Sequence, residues 1–169
     1  MDIITALAVS IGLLGAVATY LFLTIGTIQI WIGFLGWASF YHCGGGGDGL
    51  RKSIAANLWG VVMAYLALLL ITQVNIGLPG PLWPSIVVGV TAAILVLGAK
   101  IEALSVIPAT VYGYAATAGY GLLSDASLTA FDLANPLICV AISLVIGGLF
   151  GIISEKFAGI LKGGSKAAV

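Results

Sequence analysis

The class of this chain is decided by the segment PLICVAISLVIGGLFGII, which runs from Pro136 to Ile153. It holds 18 residues without a charge, and the next charged residue is Glu155. A helix needs about 20 mostly apolar residues to cross the roughly 30 Å of hydrocarbon in a bilayer. A segment of this length and composition predicts a helix that spans a membrane.

The charged residues lie outside five further apolar segments of similar length. These segments are Ile3–Leu23, Ile25–Tyr41, Ile54–Ile76, Leu82–Ala99 and Ala103–Leu123. Only 12 of the 169 residues are charged and 61% are hydrophobic, whereas a soluble domain carries about 25% charged residues. The sequence predicts an all-α integral membrane protein of six transmembrane helices. One transmembrane domain covers residues 1–169, with a short cytoplasmic tail over residues 156–169.

The distribution of basic residues predicts the orientation. Six spans place every Lys and Arg on one face of the membrane: Arg51, Lys52, Lys100, Lys156, Lys162 and Lys166. The opposite loops hold Asp125 and Asp132 instead. Because basic residues accumulate on the cytoplasmic side, both termini are predicted to be cytoplasmic. The net charge is zero, so there is no electrostatic case for binding nucleic acid.

Matches at a shared offset suggest an internal duplication. Gly36-Trp37-Ala38 resembles Gly113-Tyr114-Ala115 at an offset of 77 residues, and the pairs Gly12/Gly89 and Asp48/Asp125 have the same offset. Three spans in each half is an odd number, so the second copy would be inverted in the membrane, as in many transporters. The sequence predicts inverted three-helix repeats over residues 1–77 and 78–155.

A family resemblance is carried by Trp31–Tyr41, the glycine segment, Asp48-Gly49-Leu50, Ser53–Gly60, Ala99-Lys100, Leu104–Thr110 and Gly113–Thr117. Together these stretches resemble the YcdZ-like bacterial inner-membrane proteins, a family defined by a domain of unknown function (1097). The resemblance covers nearly the whole chain and departs at His42-Cys43 and at Glu102. It implies a multi-pass inner-membrane location and brings no activity and no site.

The glycine segment Cys43–Gly49 follows the second span and should end its helix, since glycine is a poor helix former. It is either a flexible loop or a re-entrant segment at a pore mouth, where non-helical backbone is tolerated. His42 and Asp48 flank it and offer a proton-responsive gate, although a lone His at a helix end is more often only interfacial. These residues provide too few ligands for a metal site.

The pair Lys100 and Glu102 lies in the short connection between spans four and five. One interpretation places both at the cytoplasmic interface, with Lys100 extending toward water. The other places Glu102 inside span five, where a carboxylate would mark a functional site.

The amides Asn57 and Asn135 each lie near the start of the third span of a half. They are either helix caps or, if the halves are inverted repeats, donors and acceptors for a passing solute.

Span five is the most polar of the six, with Tyr112, Tyr114 and Thr117 as pore candidates beside Trp37 of span two. These side chains either pack helices and form an interfacial aromatic belt or line a pore. Pro108 is expected to kink span five.

No nucleophile, dinucleotide or metalloprotease motif is present, so neither enzyme activity nor a cofactor is predicted. No Asp, Glu or Lys lies in the middle of a span, which favours passive movement of a small, mostly neutral polar solute. The competing interpretation is a non-transporting membrane scaffold or regulatory subunit. The expected partners are lipid and further copies of the chain, the latter through small-residue faces at Gly12, Gly15, Gly147, Gly148 and Gly151.

Overall fold

The computed structural model describes residues 1–163 and consists of six α-helices. They are α1 (Ile3–Ile25), α2 (Ile30–His42), α3 (Gly46–Gln73), α4 (Leu82–Leu97), α5 (Ile107–Leu123) and α6 (Pro136–Leu161). Two short 3₁₀ turns, Gly98–Lys100 and Glu102–Leu104, connect α4 to α5. No β-strand occurs within residues 1–163, which agrees with the predicted all-α class. Lys166 lies outside the described residues.

Four helical segments are long and apolar enough to cross a membrane: Ile3–Ile25, Gly46–Gln73, Leu82–Lys100 and Pro136–Leu161. The other two helices are shorter, with 13 residues in α2 and 17 in α5. At 1.5 Å per residue α2 is only about 20 Å long, less than the thickness of the hydrocarbon layer. Four candidate spans are therefore established by length and composition, and six complete crossings stay a prediction.

Several predicted boundaries were wrong. The second helix begins at Ile30 and not at Ile25, because α1 runs on to Ile25 and Gly26 ends it in a left-handed conformation at φ 74°. α6 continues to Leu161, so residues 156–161 of the predicted tail are helical. Pro108 does not kink α5, since it is the second residue of the helix, where a missing backbone N–H costs nothing.

The glycine segment forms a tight turn of three residues, Cys43–Gly45, between α2 and α3. Gly44, Gly45 and Gly46 all have positive φ, at 94°, 73° and 63°. Residues other than glycine rarely adopt this backbone conformation. The predicted end of the second helix at the glycine segment is confirmed, because α2 ends at His42. The third helix begins within the segment, at Gly46.

Two helix crossings form the centre of the bundle, α2 against α6 and α3 against α5. Both depend on glycine. A methyl group on Gly36 would overlap the backbone of Leu144, and one on Gly147 would overlap the carbonyl of Gly33. Small residues permit such close approach of helices in lipid, where dispersion and hydrogen bonds replace the hydrophobic drive to pack.

The α3/α5 crossing repeats this arrangement. A methyl group on Gly60 would overlap the carbonyl of Thr110, and one on Gly113 would overlap the carbonyl of Asn57. The peripheral helices α1 and α4 pack mainly on α6 and α3, and most of their large apolar side chains are exposed. These exposed faces are suited to contact with lipid.

The predicted self-association faces are only partly available. Gly147 packs on α2, Gly148 faces Leu50, and Gly151 packs against Phe40, all within one chain. Their assignment to contacts between copies was wrong. A methyl group on Gly12 would have no atom of residues 1–163 within 4 Å, so self-association through α1 stays a prediction.

Candidate functional site

A ring of three buried polar side chains joins α2 and α3, and we call it the polar triad: Ser39, Ser53 and Asn57. The Ser39 hydroxyl donates to Asn57 Oδ1 (3.1 Å), Ser53 donates to Ser39 Oγ (2.9 Å), and Asn57 Nδ2 donates to Ser53 Oγ (3.3 Å). Ser39 and Ser53 are 0% exposed and Asn57 is 2% exposed. The ring satisfies groups that would be costly to bury unpaired.

Asn57 does not cap a helix, so that alternative was wrong. It lies well inside α3, because the helix begins eleven residues earlier at Gly46. Ser53 precedes it by one turn, and this spacing puts both side chains on the same face of α3. Gly113 of α5 packs against the Asn57 backbone, which fixes the position of the amide.

A second polar cluster, the Ser154 cluster, joins α1, α2 and α6. Trp37 Nε1 donates to Ser154 Oγ (3.0 Å), and the Tyr41 hydroxyl lies 2.7 Å from the same oxygen. The Ser10 hydroxyl donates to the Ser154 carbonyl (2.7 Å). Trp37 is 4% exposed, so this candidate residue lies inside the bundle and does not form an interfacial belt.

The turn between α2 and α3 is tied to α6 by Glu155. The Gly46 N–H donates to the Glu155 carboxylate (2.9 Å), and a negative charge at this position complements the positive end of the α3 dipole. A methyl group on Gly45 would overlap the same carboxylate. Burial raises the pKa of the Cys43 thiol in this turn.

The structure pairs His42 with Tyr112 and not with Asp48. His42 Nδ1 lies 3.0 Å from the Tyr112 hydroxyl, which links the end of α2 to α5. Asp48 instead forms an ion pair with Arg51 (3.7 Å) on an exposed surface, where such pairs contribute little stability. The two halves of the predicted proton-responsive gate therefore have separate partners.

Lys100 and Glu102 are both exposed and lie in the two 3₁₀ turns before α5. Glu102 is five residues ahead of the first residue of α5. The interpretation that places Glu102 inside the fifth helix was therefore wrong, and the interfacial position of the pair stays a prediction.

The candidates on α5 face different neighbours. The Tyr114 hydroxyl lies 2.9 Å from Thr91 Oγ1 and links α5 to α4. Thr117 is 0% exposed and donates to the carbonyl of Gly113 within its own helix (2.9 Å). Neither side chain contributes a hydrogen bond to the polar triad.

Asn135 caps α6, as one interpretation of the sequence predicted, and it also organises the loop before α6. Its Oδ1 accepts from the Leu137 N–H (2.9 Å), and its Nδ2 donates to the Ala130 carbonyl (2.8 Å). Nδ2 also lies 3.3 Å from the Tyr65 hydroxyl. Tyr65 is two helical turns beyond Asn57 on α3, about 12 Å along the axis, so the two amides do not share one site.

Sequence reasoning missed Ser39, Ser53, Ser154 and Glu155. Serine is compatible with an apolar helix, so none of the three hydroxyls interrupts the hydropathy pattern. The spacing of Ser53 and Asn57 was a usable signal, because residues four apart on a helix are neighbours. The contacts of Ser39 and Ser154 depend on the packing of other helices, which hydropathy does not encode.

The four long apolar helices and the exposed apolar faces of α1 and α4 define the class of the chain, a membrane protein with several helices long enough to span the bilayer. The chain belongs to the family described as proteins of unknown function (DUF1097), whose model matches residues 8–159.

Two relatives from Escherichia coli (strain K12) are similar to it. The uncharacterized protein YahC is 28% identical over 155 residues, covering 88% of this chain and 92% of the relative. The inner membrane protein YcdZ is 31% identical over 123 residues, covering 72% of this chain and 73% of the relative. No solved structure matches.

Proposed function

We propose that this protein is a non-enzymatic inner-membrane facilitator that passively conducts a small, neutral polar solute past the polar triad. It needs no cofactor and is built from two inverted halves, residues 1–77 with α1–α3 and residues 78–155 with α4 and α5 and most of α6. The inner-membrane location is supported by the similarity to YcdZ and by the four long apolar helices.

Contacts between the helices support the inverted halves. An offset of 77 residues carries Gly33 and Gly36 of α2 onto Thr110 and Gly113 of α5. A second offset of 87 carries Asn57 and Gly60 of α3 onto Leu144 and Gly147 of α6. All of the close glycine contacts described above join one half to the other. The two offsets exchange the α2/α6 contacts with the α5/α3 contacts, as expected for two halves related by a two-fold axis.

Burial supports the same correspondence. Five residues of α2 and the five residues 77 positions later in α5 are all buried: Ile32, Gly33, Gly36, Ser39 and Phe40, with Ala109, Thr110, Gly113, Ala116 and Thr117. The peripheral helices follow the same offset, since Ser10 and Ala18 of α1 correspond to the buried Val87 and Leu95 of α4. Matching core positions are expected when two halves have one architecture.

The observation that carries the function is the contrast between the polar triad and its counterparts. Ser39, Ser53 and Asn57 correspond to Ala116, Val140 and Leu144 under the two offsets. These three apolar residues are at most 1% exposed. The same helix packing is therefore achieved once with polar and once with apolar side chains, so packing alone does not require the triad.

The chemistry of the triad favours a neutral solute. Its hydroxyls and amide provide hydrogen-bond donors and acceptors without a formal charge. A solute that carries both, such as urea, a short amide or a polyol, can exchange hydrogen bonds with the ring, whereas an ion would lose hydration without compensation. Urea is the first solute to test because it is compact and forms hydrogen bonds in both senses.

The proposed orientation has both termini and the Cys43–Gly45 turn on the cytoplasmic side. Arg51 and Lys52 lie in the first turns of α3, Lys100 lies between α4 and α5, and Lys156 and Lys162 lie at the end of α6. In a bundle of six crossings these positions share one face, and basic residues accumulate on the cytoplasmic face.

The test is solute flux into vesicles that contain the purified protein. Wild-type vesicles should take up urea, a short amide or a polyol faster than empty vesicles, and Asn57→Leu should remove most of that uptake. Asn75→Leu is the matched control, because Asn75 is exposed in the α3–α4 loop and should leave uptake unchanged.

If Asn57→Leu conducts like wild type, the solute does not pass the polar triad. If wild-type vesicles conduct none of a panel of small neutral and anionic solutes, the facilitator proposal fails. A non-transporting scaffold would then be the better description.

A further inference from the structure

A cluster of buried apolar side chains lies beside the polar triad. It consists of Ile32, Val61, Ala116, Val140 and Leu144, and we call it the apolar cluster. Each of these side chains is at most 1% exposed. They come from α2, α3, α5 and α6, so the cluster lies where the four central helices meet. Leu35, Tyr120, Leu137 and Ala141 pack around it.

The apolar cluster lies on the side of the triad away from the Cys43–Gly45 turn. On α3, Val61 is one turn beyond Asn57, about 6 Å further from that turn. On α2, Ile32 is seven residues before Ser39, about 10 Å further from the turn along this helix. A solute that reached the triad from the turn side would meet the apolar cluster next.

We infer that the apolar cluster is the closed gate of the path, an inference that rests on the proposed function and adds its barrier. A neutral polar solute that leaves the triad must give up hydrogen bonds, and the cluster offers none in return. Hydrophobic constrictions close pores in this way, because water and polar solutes do not enter them. The barrier is thus set by the apolar side chains of the cluster in this closed state.

The correspondence between the two halves supplies the variant that tests this gate. Ala116, Val140 and Leu144 are the counterparts of the triad residues, and their glycine neighbours correspond as well. The triple variant Ala116→Ser, Val140→Ser and Leu144→Asn would place a second polar ring in the gate. Its members can satisfy one another as the triad does, so the variant does not bury an isolated amide.

The experiment measures osmotic water permeability of vesicles by stopped-flow light scattering, together with urea uptake. The triple variant should raise water permeability on the order of tenfold or more over wild type, because transfer of water through the gate no longer sacrifices its hydrogen bonds. Val90→Ser is the matched control, because Val90 of α4 is 54% exposed and lies outside the apolar cluster. It should leave the water permeability at the wild-type value. Water is the probe because its passage does not depend on knowing the natural solute.

A triple variant that is monodisperse and helical but no more permeable than wild type would overturn the gate. If the triple variant does not fold, Val140→Ser alone serves, because a helical serine can donate to the carbonyl four residues earlier. Ser143 already does so with Cys139 at 2.7 Å. This single variant should raise water permeability in the same direction, and an unchanged value would equally overturn the gate.

The two proposals fail in different ways. If Asn57→Leu leaves urea uptake unchanged while the triple variant becomes permeable to water, the solute site is wrong and the gate stands. If Asn57→Leu removes uptake while the triple variant stays impermeable, the solute site stands and the gate lies elsewhere.

Discussion

Replacing the whole polar triad by its counterparts should cost less stability than removing one member of it. The triple variant Ser39→Ala, Ser53→Val and Asn57→Leu converts the ring to the apolar set at positions 116, 140 and 144. Replacing all partners of a buried hydrogen-bonded group by apolar residues of similar shape can be nearly neutral or stabilising. The free energy of unfolding of this apolar-triad variant should therefore lie within about 1 kcal/mol of wild type.

The single variant Asn57→Ala should be less stable. It removes the amide oxygen that accepts from Ser39 and the N–H that donates to Ser53, and it leaves a cavity between α2 and α3. A buried polar group that loses its partner costs about 1–3 kcal/mol. The two serines can recover part of the lost stability by donating to carbonyls of their own helices. With the cavity included, Asn57→Ala should lower the free energy of unfolding by about 1–3 kcal/mol.

The assay is reversible denaturant unfolding in detergent micelles, followed by the fluorescence of the four tryptophans. The decisive comparison is the order of the two variants, because it does not depend on the absolute free energy. An apolar-triad variant that is several kcal/mol less stable than Asn57→Ala would refute the correspondence between the halves. It would also refute the inference that packing does not require the triad.

Four further outcomes are expected. Gly60→Val should prevent folding or lower the free energy of unfolding by more than 2 kcal/mol or so, because its side chain overlaps the backbone of α5; a variant with wild-type stability would contradict the close crossing. Asn135→Leu should lower the free energy of unfolding by about 1–3 kcal/mol, because the α6 cap and the loop contacts are lost. An unchanged free energy of unfolding would contradict the capping role. Maleimide labelling of Cys43 should show a midpoint above the pKa of a free thiol, because burial disfavours the thiolate, and a midpoint at or below that value would refute its half-buried position. Cysteines placed at Ser127 and Gly159 should be labelled from opposite sides of the membrane, and labelling of both from the periplasm would refute the proposed orientation.

Hydropathy alone predicted the number and order of the helices, because charged, polar, glycine or proline residues bound each apolar run. It could not locate where α1 ends and α2 begins, since Ile25 continues an apolar pattern and the break depends on the left-handed conformation of Gly26. The start of α3 within the glycine segment was missed for a related reason. A helix can begin with glycine when the carboxylate of Glu155 binds its first N–H, and that contact comes from a residue more than 100 positions away.

The candidate site was only partly predictable. Asn57 was singled out because it lies near the start of a predicted span, at a place similar to that of Asn135 in the other half. Its partner Ser39 comes from a different helix and gave no separate signal. Asn135 looked equivalent by its position, but the loop carbonyls that it binds were not evident in the sequence. The comparison of Asn57 with Leu144 required the helix contacts, because the offset of 87 between α3 and α6 differs from the offset of 77 found in the sequence.

The most direct test of the facilitator proposal is urea uptake by vesicles that contain the apolar-triad variant, Ser39→Ala with Ser53→Val and Asn57→Leu. This variant should fold with near wild-type stability and conduct no more urea than empty vesicles, while wild type conducts. Uptake by the folded variant at the wild-type rate would contradict the claim that the solute passes the polar triad.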